Sequence, residues 1–258
     1  MIIDRKYIAD TFLKWIEENG TPDEPGFDMK KTHTMRVAAQ ADDIAKALEL
    51  GQEDIDLAWL IGILHDIGRF HELKISHTFD GSRFDHAGYG AKLLFDEGVI
   101  RTFIDDDTYD GLIRKAIENH SRLSIEEGLD ERTLLHARII RDADKLDNLY
   151  TKLSEPVWAS FPGKGFDEAS FQNSGISEEV MASVRRCECV KLKDRKEPLD
   201  YYICVLAFVF DLNFACSRSI AKEKQYIDRL CDKIFFKNEK VQKEAAEIRS
   251  LLNAYINS

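Results

Sequence analysis

Helix breakers are scarce in this sequence. Its 258 residues include only 5 prolines and 14 glycines, and 32% are charged, which fits a helix-rich globular chain rather than a disordered one. No alternating apolar–polar run is long enough for a strand, and there is no internal repeat. Long apolar runs are missing too. The most apolar stretch, residues 202–210, is too short to span a bilayer, and Asp211 follows it at once. The start, Met1-Ile-Ile-Asp-Arg5, leads straight into an amphipathic segment without signal-peptide organisation, so a cytoplasmic location is expected. Basic residues are in deficit: 36 Lys and Arg face 47 Asp and Glu, for a net charge of -11. Such a field repels nucleic-acid backbones, yet a local cationic pocket can still take a small phosphorylated molecule. Cysteines are few and odd in number. Cys187 and Cys189 form a Cys-x-Cys pair with no second pair at zinc spacing, and Cys204, Cys216 and Cys231 lie among apolar residues. They read as free thiols, mostly buried, with a structural zinc or a disulfide as the alternative.

What the chain has is helical period over most of its length. Apolar residues recur on one face of 4–18 (Ile8, Phe12, Leu13, Ile16) and of 30–49 (Val37, Ala41, Ile44, Leu48). Gly51 is placed to close the second of these as a left-handed cap. Residues 53–66 are apolar nearly all round and read as a central buried helix. A loop is expected from Gly68 to Phe84. Helices resume at 86–96, 108–120 and 131–152, the last starting on acidic Asp130-Glu131. Residues 153–175, with Pro156 and Pro162, read as a connection or a lid. Helical stretches near 177–187, 197–215, 218–234 and 238–256 complete an all-α chain.

The chemistry-bearing residues are histidines and aspartates. His65 and Asp66 follow the apolar run Leu57, Leu60, Ile61, Leu64, and His65 lies four residues after Ile61. His33 lies four before Val37, and Asp144 four after Ile140. Each should therefore face inward, where imidazole and carboxylate are costly unless paired or metal-bound. Taken singly, an inward His is more often a hydrogen-bonded core residue than a ligand. It is the ordered combination that carries weight.

Three strings hold that combination: Lys31-Thr-His-Thr-Met-Arg-Val37, Gly62-Ile-Leu-His-Asp-Ile-Gly-Arg-Phe70 and Arg141-Asp-Ala-Asp-Lys-Leu-Asp147. Over roughly residues 28–152 the chain resembles the HD superfamily, in which most characterised members are phosphohydrolases. The resemblance implies an HD-domain helical bundle, residues 1–155, with a divalent metal on His33, His65, Asp66 and Asp144. Residues 156–258 are expected to form a helical extension packed on it in one globule. His86 and His120 extend the order to His, His-Asp, His, His, Asp, which resembles members with two ions bridged by the Asp. The alternative is that His86 caps a helix or binds substrate and His120 is a satisfied helix-end residue. The cyclic-dinucleotide branch carries a His-His pair and Gly-Tyr-Pro; here His120 stands alone and Gly88-Tyr89-Gly90 lies elsewhere, which speaks against that activity.

Mixed imidazole and carboxylate donors suit manganese, iron, cobalt, zinc, nickel or magnesium, as one or two ions. A bound divalent ion lowers the pKa of water, the basis of metal-assisted hydrolysis. The expected reaction is hydrolysis of a small phosphorylated substrate, a nucleotide or another phosphoester. Asp66, Lys145 and Arg69 are the expected catalytic residues, and Arg69, Arg83, Arg122 and Lys145 the expected phosphate-binding ones. A mixed-valent di-iron oxygenase with the same six donors and a non-catalytic regulatory protein are the rival readings. His71 and His77 read as loop residues near the site, His136 as structural. No nucleic-acid or membrane partner is expected.

Overall fold

The structure, a computed structural model, describes residues 3–24, 26–77, 79, 84–154, 156–161, 164–234 and 236–258. Among the described residues there are thirteen α-helices and no strand. No helix among them is long and apolar enough to cross a membrane. The chain divides into two compact units, Met1–Asp144 and Lys145–Ser258.

In the first unit, α1 (Arg5–Asn19) starts on Asp4, whose carboxylate accepts the Tyr7 N–H, and buries Ile8, Phe12 and Ile16. The hairpin of α2 (Phe27–Ala47) and α3 (Gln52–Leu64) follows. Gly62 is the reason the two helices lie so close: a Cβ there would stand 2.6 Å from the Ala38 Cα. His33 precedes Ala38 by five residues and His65 follows Gly62 by three, so the antiparallel hairpin brings both to one end. The turn between the helices differs from expectation. The left-handed residue is Glu49 (φ 56°), while Gly51 is extended and stands at the N-terminus of α3.

A larger difference is α4 (Ile67–Ser76), where a loop from Gly68 was expected. Ile67, Phe70 and Leu73 are buried at helical spacing. Gly68 serves packing, not chain breaking: a Cβ there would meet the His86 carbonyl oxygen at 2.2 Å. This contact seats the first turn of α5 (His86–Ala91) against the first turn of α4. A single π-turn (Lys92–Asp96) prolongs α5 and a 3₁₀ turn (Val99–Thr102) follows. The unit continues with α6 (Asp110–Asn119) and α7 (Glu131–Thr151), the latter capped by Asp130 through the Thr133 N–H. The division between units falls inside α7, after Asp144.

The second unit holds α8 (Glu168–Gln172), α9 (Glu178–Arg185), α10 (Pro198–Leu206), α11 (Ala215–Glu223), α12 (Tyr226–Cys231) and α13 (Glu239–Ile256). Helix α10 passes into a 3₁₀ turn that ends at Asp211, short of the expected 215. The stretch expected as one helix over 218–234 is two, parted at left-handed Gln225. Buried Asp200 ties this unit together, accepting hydrogen bonds from the backbone of Ser177, Lys196 and Glu197 and from the Ser177 hydroxyl. All five cysteines are free thiols, but only Cys204 is buried.

Candidate metal centre

Six of the expected donors meet in the first unit. His33 comes from the second turn of α2, His65 and Asp66 from the corner between α3 and α4, and Asp144 from α7. One ligand atom from each of these four lies within 4.8 Å of all the others. A second group of the same kind consists of Asp66, His86 and His120. His86 opens α5 and His120 stands just past α6.

Asp66 is the common member, and its two oxygens face different ways. Oδ2 lies 3.2 Å from His65 Nε2 and 3.5 Å from His33 Nε2. Oδ1 lies 3.5 Å from His86 Nε2 and 3.5 Å from His120 Nε2. Asp144 Oδ1 closes the first group, 3.2 Å from His33 Nε2 and 3.8 Å from His65 Nε2. His86 Nε2 and His120 Nε2 stand 3.2 Å apart. Two donors each ~2.1 Å from one ion sit about 3 Å from each other, so these spacings suit shared cations.

Tautomers agree with that fit. His65 Nδ1 donates to the Gly62 carbonyl at 2.8 Å, and His120 Nδ1 donates to the Ile117 carbonyl at 2.7 Å. Each ring in its neutral form then presents a bare Nε2 to the cluster, as a metal ligand must. These assignments follow from the hydrogen-bond network, since a carbonyl can only accept. His65 Nε2 and Asp66 Oδ1 are fully buried and make no well-formed hydrogen bond among the described residues. Orphans of this kind are expensive in a core and call for a cation.

The charge states point the same way. Burial pushes the His65 imidazole below its ordinary pKa, against the pull of Asp66. His86 is pushed well below, by burial first and by Arg69 second. Burial alone would raise Asp66, but Lys30 and His65 outweigh it and hold the carboxylate well below its usual range. Asp144 is likewise lowered, with His33 overcoming burial. Neutral imidazoles beside ionised carboxylates are the states in which these groups bind metal.

Three neighbours of the cluster were assigned no role from the sequence, although Arg141 opens one of the three strings. Lys30 Nζ pairs with Asp66 Oδ2. Glu72 is buried and binds Arg69 Nη1 at 2.6 Å. Arg141 is buried on α7 and grips the backbone after α6. Each stands three residues from a residue that sequence reasoning did find: His33, Arg69 and Asp144. On a helix that spacing means one face, which was the available signal.

The remaining expected residues are placed as follows. Arg69 is 3.7 Å from Asp66 Oδ1 through Nε, steadied by Glu72. Lys145 pairs with Asp211 at 2.8 Å inside the second unit. Arg122 is exposed and pairs with Glu126 at 2.8 Å; the structure does not bring it among the donors. Arg83 lies outside the described residues. His71 sits on α4, not in a loop, stacked on Tyr89 with ring centroids 4.3 Å apart. His77 ends α4 and contacts Glu24. His136 is buried on Asp54 at 2.9 Å, a packing role.

The family model of the HD domain matches residues 31–149, a span that includes all six donors. No curated protein and no solved structure matches the chain. Residues 31–149 are thus an HD domain, a domain whose superfamily is one of metal-dependent hydrolases.

Proposed function

We propose that the protein is a phosphohydrolase that cleaves a small phosphoester, with two divalent ions shared by Asp66. The observation that carries this reading is the division of the Asp66 oxygens, Oδ2 toward His33 and His65, Oδ1 toward His86 and His120. On this reading His33, His65, Asp66 and Asp144 hold one ion and Asp66, His86 and His120 the other. Divalent ions so held supply an activated water near neutral pH and neutralise phosphoryl oxygens.

The chain's own residues do the rest. With neutral imidazoles, the donor set carries two negative charges, from Asp66 and Asp144. Two divalent ions exceed that, leaving the site cationic in a protein whose overall charge is -11. A dianionic phosphoryl group is the natural complement. Lys30 and Arg69 add positive charge beside Asp66, and the Glu72 carboxylate holds Arg69 in place. Glu72 is itself pushed upward by burial against the pull of Arg69, so its ionised form depends on that partner.

The test is chelation followed by a panel of nucleotides, sugar phosphates and p-nitrophenyl phosphate. Metal-free protein should be inactive and regain hydrolysis with manganese or cobalt. Full hydrolysis without metal would overturn the reading. So would iron-loaded protein that consumes dioxygen and leaves every phosphoester intact, which is the outcome for an oxygenase.

A further inference from the structure

The residue placed most unusually in the first unit is Arg141. Its side chain is buried on α7, 1% exposed, three residues before Asp144. A buried cation is costly unless its donors are satisfied. Here they meet backbone carbonyls at the end of α6. Nη1 donates to Asn119 O and Arg122 O, both at 2.7 Å, with His120 O at 3.5 Å; Nη2 donates to Leu123 O at 3.3 Å. Carbonyls at a helix C-terminus lack intrahelical partners and carry the negative end of the helix dipole. A planar guanidinium can bind several at once, as a lysine ammonium cannot in the same geometry.

The gripped segment carries His120. Asn119 ties the same segment from inside: its Oδ1 accepts the Glu126 N–H at 2.9 Å and its Nδ2 donates to Lys115 O at 2.9 Å. No helix encloses His120 on its C-terminal side, because α6 ends at Asn119. The Ile117 carbonyl orients its ring beside His65 and His86, and this clamp holds the backbone that carries it. The first group differs, since His33, His65 and Asp66 belong to the α2–α3 hairpin and the corner that follows it.

We propose that Arg141 is a positioning residue that holds His120 within reach of Asp66, so that occupancy of the His86–His120 half depends on a side chain touching neither ion. The inference rests on the two-ion reading above. Its test is metal titration of the full chain with manganese, read as ions bound per chain and as the affinity of each step, with helicity followed by circular dichroism. Wild type should bind two ions. Arg141→Lys and Arg141→Gln should bind the first ion normally and the second about 10- to 100-fold more weakly, the usual loss when a ligand's support is removed. Asn119→Ala loosens the same segment without removing a buried charge, and it should weaken the second ion in the same sense. It also carries the test alone if the Arg141 variants do not fold. Unchanged second-step affinity in the folded variants would overturn the inference. Equal weakening of both steps would also overturn it, assigning Arg141 to general stability. A wild type that binds one ion removes the two-ion reading itself, and the inference with it.

Discussion

The half of the cluster made by His33, His65 and Asp144 and the half made by His86 and His120 share Asp66 but draw on different parts of the fold. The first half comes from two long helices, α2 and α7, and from the end of buried α3, locked by Gly62 against Ala38. The second comes from the first residue of a six-residue helix and from a residue just past α6. Helix packing fixes the first half, whereas caps, a glycine contact and one buried arginine fix the second. The lesson is that donors of equal chemical type need not be equally preorganised.

Removing the shared member should collapse the comparison. Asp66→Ala is expected to lower turnover at least ~100-fold, because activated water is the main catalytic contribution of such a site. Asp66 stands at the N-terminus of α4 but makes no capping hydrogen bond there. Loss of a true cap would cost only about 1 kcal/mol and spare the chemistry. Turnover and thermal stability measured together on Asp66→Ala and Asp66→Asn decide it: folded variants with near-normal turnover would take Asp66 out of the site. Next in size, the double variant His86→Ala/His120→Ala should reduce bound metal from about two ions per chain to about one. Elemental analysis checks this, and an unchanged count would return both histidines to a structural or substrate-binding role.

Gly68→Ala sharpens the comparison from the packing side. Its Cβ would collide with the His86 carbonyl, which is backbone and cannot rotate away. The variant should melt lower and bind the second ion more weakly than the first; equal affinities would show that α5 adapts.

Acidification should destabilise the metal-free protein. His65, His86 and His136 all have folded-state pKa values below 6.5, each chiefly through burial. As pH falls through 6.5 the unfolded chain takes up protons first, so stability is full above that point and is lost below it. The lowered Asp66 and Asp144 add a further loss once pH falls below about 3.8, where the unfolded carboxylates protonate first. Melting temperature measured from pH 8 to 5 without metal should drop through this range; a flat profile would contradict the burial of neutral imidazoles. The smallest effect is expected from Arg122→Ala. Its guanidinium is exposed on Glu126, and exposed pairs contribute roughly 0–1 kcal/mol. Turnover should change less than about threefold, within RT-scale energies; a larger loss would return Arg122 to the phosphate site.

Much of this was legible in the sequence, and the misses have physical reasons. The donors stood out because His-Asp after an apolar helix, and Asp four residues after Ile140, are costly placements that demand a purpose. Helix α4 was missed because Gly68 reads as a breaker, although Ile67, Phe70 and Leu73 keep helical spacing. Gly68 is there for the close approach of α5, which no local pattern reveals. Lys30 and Lys31 look alike in sequence, yet one pairs with Asp66 and its neighbour with Asp28. Only the face shared with His33 separates them. Arg141 was hidden for the opposite reason: charged residues are rarely fully buried, and its partners are backbone carbonyls that carry no sequence signature.

The two-ion claim is tested most directly by anomalous diffraction from crystals equilibrated with manganese. The expected result is two peaks flanking the Asp66 carboxylate, one among His33, His65 and Asp144, the other between His86 and His120. A single peak, or a second one away from His86 and His120, would contradict it.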